Sequence, residues 1–251
     1  MRLSVSRVVV VVSVLACGPA FADAVSPGVY VLAGVGYNFA GPGNAVSVDP
    51  ANNTSIFGNT VNGHAGDGPS YKAGVGYRIN PWLRSDVQVG YGQIEYKGEV
   101  SNTHVTADVS VLSGLVNGFI DIQGLTMTDL GGFEPYVGAG IGAARTLVTN
   151  ARADFDFAPG VQNRMPSGVR YNMAYGFYVG SGLRVARFVD SAPRGLVFDF
   201  GYAYKNFGDS GSGAGFIENF TNGALTGGFF DPGTKGTARS QSLNFEVRWE
   251  F

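Results

Sequence analysis

The chain has 251 residues, a formal net charge of −2, 39 glycines, 18 phenylalanines, 12 tyrosines and one cysteine. No basic run exists, so nucleic acid has no electrostatic footprint to bind, and the glycine and aromatic content suits strands and turns rather than helices. Beyond the leader no apolar stretch approaches the roughly 20 residues of a transmembrane helix, so residence in a membrane would require a closed β-barrel.

The chain opens with Arg2 and Arg7 before an apolar run from Val8 to Ala16, and Ala20-Phe21-Ala22 makes a small-x-small cleavage site. Residues 1–22 read as an export signal cut between Ala22 and Asp23, leaving 23–251 as one domain. Loss of Arg2 and Arg7 takes the charge from −2 to −4. Cys17 lies inside the leader, so the mature chain needs no disulfide. A rival reading takes Val14-Leu15-Ala16-Cys17 as a lipoprotein signal with Cys17 lipidated.

A first strand is expected over about 29–39, with Ala33, Val35, Tyr37 and Phe39 opposite Gly34, Gly36 and Asn38. Residues 40–69, rich in Gly, Asn and Ser, read as a loop. A second strand, about 70–80, alternates Tyr71, Val75, Tyr77 and Ile79 against Lys72 and Arg78, and Asn80-Pro81 turns the chain. In the third, about 82–96, Arg84, Asp86 and Gln88 oppose Val87, Val89 and Tyr91, and the parity slips at Gln93–Tyr96 as a bulge would make it. After a loop at 97–105 comes a fourth strand of mixed parity, ending near Asp121.

A turn at 122–134 leads to a fifth strand, Glu134 to Ala143, in which glycine alternates with apolar residues. A loop at 147–169 precedes the sixth strand, about 171–185, with Arg184 on the polar face. The seventh sets Phe198, Phe200, Tyr202 and Tyr204 against Asp199, Gly201 and Lys205. A loop at 206–238 ends at the clearest strand of all, in which Leu243, Phe245, Val247, Trp249 and Phe251 oppose Asn244, Glu246, Arg248 and Glu250.

Eight strands of about ten residues match the length a tilted strand needs to cross a bilayer. Long and short connections alternate, which an even-stranded membrane barrel explains and a soluble sandwich does not. The expected fold is all-β: an eight-stranded antiparallel up-and-down transmembrane β-barrel with long extracellular loops and short periplasmic turns. Tyr37, Tyr71, Tyr77, Trp82 and Tyr91 fall where interfacial girdles belong.

The export signal, the strand Pro135-Tyr136-Val137-Gly138-Ala139-Gly140-Ile141-Gly142 and the terminal Trp249-Glu250-Phe251 resemble the outer-membrane β-barrel family of OmpA-type domains, opacity-type adhesins and small surface antigens. The resemblance implies a Gram-negative outer membrane, lipid around the barrel and insertion by the barrel-assembly machinery. In that family the machinery reads the last strand, which makes Trp249 and Phe251 candidate assembly signals. The peptidoglycan-binding domain that follows OmpA-type barrels has no counterpart here, which removes cell-wall anchoring from the expectations.

An eight-stranded barrel is just wide enough for its own side chains. Lys72, Arg78, Arg84, Asp86, Arg184, Asp199, Lys205, Glu246, Arg248 and Glu250 all have inward parity and are expected to form a mixed-sign network that plugs the lumen. An ion pathway lined by the same residues is the alternative. His64 and His104 lie in or beside loops without a nucleophile pattern, and Asp154 and Asp156 also fall in a loop, so no catalytic site is expected. Asp49, Asn52, Asn53 and Asp67 lack the fixed spacing of a calcium loop. No cofactor is expected. The functional readings are a structural or surface-exposed barrel, a narrow passive porin, or an adhesin or receptor whose loops meet host or phage ligands. The barrel is expected to be a monomer.

Overall fold

Alternation repeated in every long segment gives strands that each bury one face, and the computed structural model shows how they join. It describes residues 27–39, 62–65, 67–100, 103–155, 160–211, 213, 215–231 and 236–251. The leader, with Cys17, Ala22 and Asp23, lies outside the described residues, as do Asp49, Asn52, Asn53 and Asp156. In chain order the strands are β1 (Gly28–Phe39), β2 (Asn62–Ala65), β3 (Gly68–Asn80), β4 (Leu83–Val100), β5 (Thr103–Asp121), β6 (Phe133–Phe155), β7 (Val161–Arg164), β8 (Gly168–Arg184), β9 (Leu196–Ser210), β10 (Gly215–Thr221), β11 (Ala224–Asp231) and β12 (Gly236–Glu250).

The eight longest strands form the wall. Each pairs antiparallel with the next, in the order β1-β3-β4-β5-β6-β8-β9-β12. The ring closes where β12 returns to β1, from Tyr30↔Glu250 to Phe39↔Gln241, and closure leaves the wall without a free edge. The connections at 81–82, 122–132 and 185–195 lie at one end, which is also where β1 starts and β12 finishes. The second holds a five-residue helix, Ile122–Thr126. There the Phe251 amide donates to the Val29 carbonyl at 3.0 Å.

Along the middle of the wall the outer face is apolar. Val35, Val75, Val89, Val116, Ile141, Phe177, Phe200 and Leu243 are all exposed, and Ile141 keeps 59% of its surface open. Such a continuous exposed band would be untenable in water and is the face a barrel turns to lipid. Tyr37, Tyr71 and Tyr91 are exposed toward its upper rim, and Tyr77 and Trp82 toward the end with the short turns.

The strands run far past the band. β4, β5 and β6 have 18, 19 and 23 residues, so much of the sequence expected at 97–105 and 147–169 as loop is strand. Within 206–238, β10 and β11 form a hairpin, and β2 lies inside the segment expected as loop at 40–69. Beyond the band the two faces exchange character. Gln93, Glu95, Lys97, Asp108 and Arg152 point out and are exposed, while Ile94, Val109, Val111, Val148, Ala153 and Phe207 pack inside. This exchange accounts for Val109 and Val111 in the mixed parity of β5, while Leu115 and Phe119 fill the bore at the height of the band itself.

The same exchange corrects the bulge expected at Gln93–Tyr96. The β4–β5 register runs unbroken from Leu83↔Ile120 to Val100↔Thr103. What slips there is chemistry, because water replaces lipid outside. A true irregularity lies on β6, where Thr106↔Arg152 gives way to Asp108↔Thr149 and Asn150 takes the left-handed φ of 51°.

Candidate functional site

The barrel interior is the one place where the fold gathers charged side chains from almost every wall strand. At the short-turn end, four arginines and four carboxylates interlock. Arg78 (β3) reaches Asp121 (β5) at 2.5 Å, Glu250 (β12) at 2.8 Å and Glu134 (β6) at 3.4 Å. Arg84 (β4) meets Asp121 at 3.0 Å. Arg184 (β8) holds Glu134 at 2.6 Å and Glu250 at 2.7 Å. Arg248 (β12) bonds Asp199 (β9) at 2.9 Å, Glu134 at 3.1 Å and its own neighbour Glu250.

Four positive and four negative charges cancel, and every carboxylate is shared or doubly held. That matters because an uncompensated ion in such a place costs several kcal/mol, roughly as much as a small domain has to spare. Arg248 has no exposed surface and Arg78 only 2%. The network spans the lumen from β3 to β12 and from β6 to β12, so it crosses the bore rather than lining it.

Aromatic rings complete this layer. The Arg84 guanidinium lies 4.3 Å from the Phe119 ring centroid and 4.7 Å from that of Tyr136, within cation–π reach of both. Phe119 and Tyr136 meet edge to face at 5.6 Å. Tyr30 donates to Asp86 at 3.1 Å. Its ring occupies the space beside Gly76, where a Cβ would overlap it, and Gly180 leaves the same kind of room for the Tyr136 hydroxyl.

Among the ten residues expected in the lumen, Arg78, Arg84, Arg184, Asp199, Arg248 and Glu250 meet in this cluster. Lys72 and Glu246 form a separate pair at 2.5 Å, further up the bore. Asp86 pairs with no cation among the described residues; Tyr30, Asn117 and Gln88 donate to it at 3.1, 2.7 and 3.2 Å. Lys205 also has no carboxylate within ion-pair reach among the described residues, and its ammonium lies 5.9 Å from the Tyr178 ring. Asp121 and Glu134 are central to the cluster yet were not among the residues expected in the lumen. They are the last residue read into the fourth strand and the first read into the fifth, and inward parity carried two residues on from Phe119 and two back from Tyr136 reaches them.

The other residues weighed by sequence are elsewhere. His104 belongs to β5 and Asp154 to β6, both beyond the apolar band, with His104 opposite Asp154 in register. Asp154 bonds Arg152 at 3.4 Å. His64 lies on β2, opposite Lys97. Among the described residues no group of three or more His, Cys, Asp or Glu is placed to hold a metal ion. Trp249 and Phe251 face outward beside the seam, where β12 meets β1.

No protein-family model matches the chain. An uncharacterized protein of Brucella abortus (strain 2308) is 33% identical over 95 residues, which cover 31% of this chain and 32% of that protein. One of Brucella melitensis biotype 1 is 32% identical over the same span. The chain thus spans about a third of the length of the curated relatives it matches. Among solved structures, the outer membrane protein OprG from Pseudomonas aeruginosa superposes with a TM-score of 0.52 at 12% identity, covering 89% of this chain and 96% of that one. Neisserial surface protein A gives 0.44 at 18% identity, with 90% and 99% covered. The likeness to OprG is one of fold, and it agrees with the closed ring. The protein is an eight-stranded β-barrel of the outer membrane.

Proposed function

We propose that the protein is a non-conducting structural barrel that holds surface-exposed hairpins available for recognition. The observation that carries this reading is the neutral cluster of four arginines and four carboxylates across the bore, with an apolar layer around Val111, Leu115 and Phe207 above it. An ion entering from either end would have to break shared ion pairs or shed its water among alkyl groups. Planar-bilayer recording on the purified protein tests this: no steady conductance is expected. A large steady current would overturn the plug in favour of a narrow passive porin.

A second reading, an adhesin or receptor, is favoured by one observation. Beyond the lipid band β6, β7, β10 and β11 continue as one hydrogen-bonded sheet. Ordered backbone outside the membrane gives recognition a rigid support. Deleting residues 215–231 should abolish binding to a host or phage ligand if this reading holds, and binding that survives would count against it. The proposed partners are outer-membrane lipid and the barrel-assembly machinery, with the barrel a monomer. The reading is non-enzymatic, and an activity lost on changing His64 or His104 would overturn that part of it.

A further inference from the structure

The charges inside the barrel balance in number but not in place. Beside the neutral cluster lie the Lys72–Glu246 pair, a lone Asp86 and a lone Lys205. Three neutral donors satisfy Asp86. Lys205 has no such set. Lysine carries three donors and no acceptor, so an ammonium held away from water needs negative partners.

Lys205 lines a cavity of about 20 Å³ halfway up the bore, shared with Lys72, Asn38, Ser70 and Asn244 and roofed by Phe207. Lys205 is half-buried and borders this space. Burial disfavours its charged form, as does Lys72, and Glu246 favours it. Glu246 is already held by Lys72 at 2.5 Å, so one carboxylate stands against two ammoniums. Asn38 accepts the Ser240 hydroxyl at 2.7 Å on its amide oxygen, which leaves its NH2 as the donor at the cavity wall. Asn244, whose NH2 is spent on Ser242, leaves its amide oxygen as an acceptor, so the excess of donors rests on the two lysines, with a local charge of +1 when both are protonated. The volume exceeds the roughly 10–15 Å³ that one water requires.

We infer that this cavity is a site for one small monovalent anion of halide size, held between Lys205 and Lys72 with Asn38 donating to it. The anion completes the local charge balance that the protein alone leaves open. A water molecule would fill the space but would leave Lys205 to give up its proton or stand uncompensated, whereas an anion holds both lysines charged.

Bromide is the probe. The purified protein is folded into detergent in sodium bromide or in sodium gluconate, whose anion is too large to enter, at equal ionic strength. The thermal midpoint of the folded band is then read by heat-modifiable gel mobility. The expected result is a higher midpoint in bromide than in gluconate, with that difference lost in Lys205→Met and in Lys205→Gln. Both variants are checked for the folded band before heating, and crystals grown in bromide should give an anomalous peak between the two lysines. Equal midpoints for the unaltered protein would overturn the proposal. So would a bromide advantage that persists in a folded variant, since that is a general salt effect, or a cavity without anomalous signal.

Discussion

Arg248 and Glu134 are 114 residues apart in the chain, yet the guanidinium of one lies 3.1 Å from the carboxylate of the other across the barrel bore. Both are buried, and the contact ties β12 to the wall strand β6, with which it shares no backbone ladder. Replacing Arg248 by Met would leave Asp199, Glu134 and Glu250 short of a cation. Breaking a buried pair by removing one partner costs about 3–5 kcal/mol. The urea midpoint of the folded gel band should fall accordingly. Adding Asp199→Asn to that variant should recover part of the loss, because one of the stranded charges is then gone.

The lipid-facing band can be mapped by charge. Val116→Arg places a guanidinium at the centre of the exposed apolar wall, where such a change costs about 2–4 kcal/mol. Gln93→Arg, two residues past Tyr91 on the same outer face, should cost almost nothing because that position is already in water. Folding titrations in lipid vesicles compare the two. Equal costs would mean that the band ends elsewhere.

Glycines of the two faces should respond oppositely. A Cβ at Gly76 overlaps the Tyr30 ring, so Gly76→Ala should destabilise by about 1–3 kcal/mol, as overpacking does. Gly114 faces outward with nothing within 4 Å of an added Cβ. There Gly114→Ala should stabilise by about 0.5–1 kcal/mol through reduced backbone freedom. Unfolding midpoints in urea give both signs.

The apolar layer inside the barrel reaches down to the height of the band, and Leu115 is only 4% exposed within it. Leu115→Ala should cost about 2–5 kcal/mol in the same titration. A smaller loss would mean that neighbours such as Val111 collapse into the space.

How far the sequence disclosed this architecture depended on which medium lay outside each strand. Where lipid covers the wall, period-two alternation is unmistakable, and Tyr71 to Ile79 or Leu243 to Phe251 place both faces from the letters alone. Past the band, polar residues move outside and apolar ones inside, so Gln93–Tyr96 looks like a register slip when the backbone is regular. Arginine, aspartate, asparagine and proline in 147–169, and glycine and serine in 206–238, suggested loops, because strands in water on one side can be polar without losing their ladders. For the charged cluster, parity singled out six members. Asp121 and Glu134 were passed over as the last and first residues of their strands, Glu134 two residues past Gly132, whose φ of 93° belongs to a turn. That Lys205 and Asp86 stand apart from the ion pairs depends on strand stagger, which no single strand encodes.

The 23 residues of β6 set how far the molecule stands off from the bilayer. At roughly 3.3 Å per residue and a tilt of roughly 45°, such a strand rises roughly 50 Å, about twice the roughly 25 Å of hydrocarbon that it must cross. The far rim is thus a rigid platform held clear of the lipid headgroups. A bulky macromolecule can land on it without displacing a single lipid, whereas a small amphiphile dissolved in the bilayer never reaches that height.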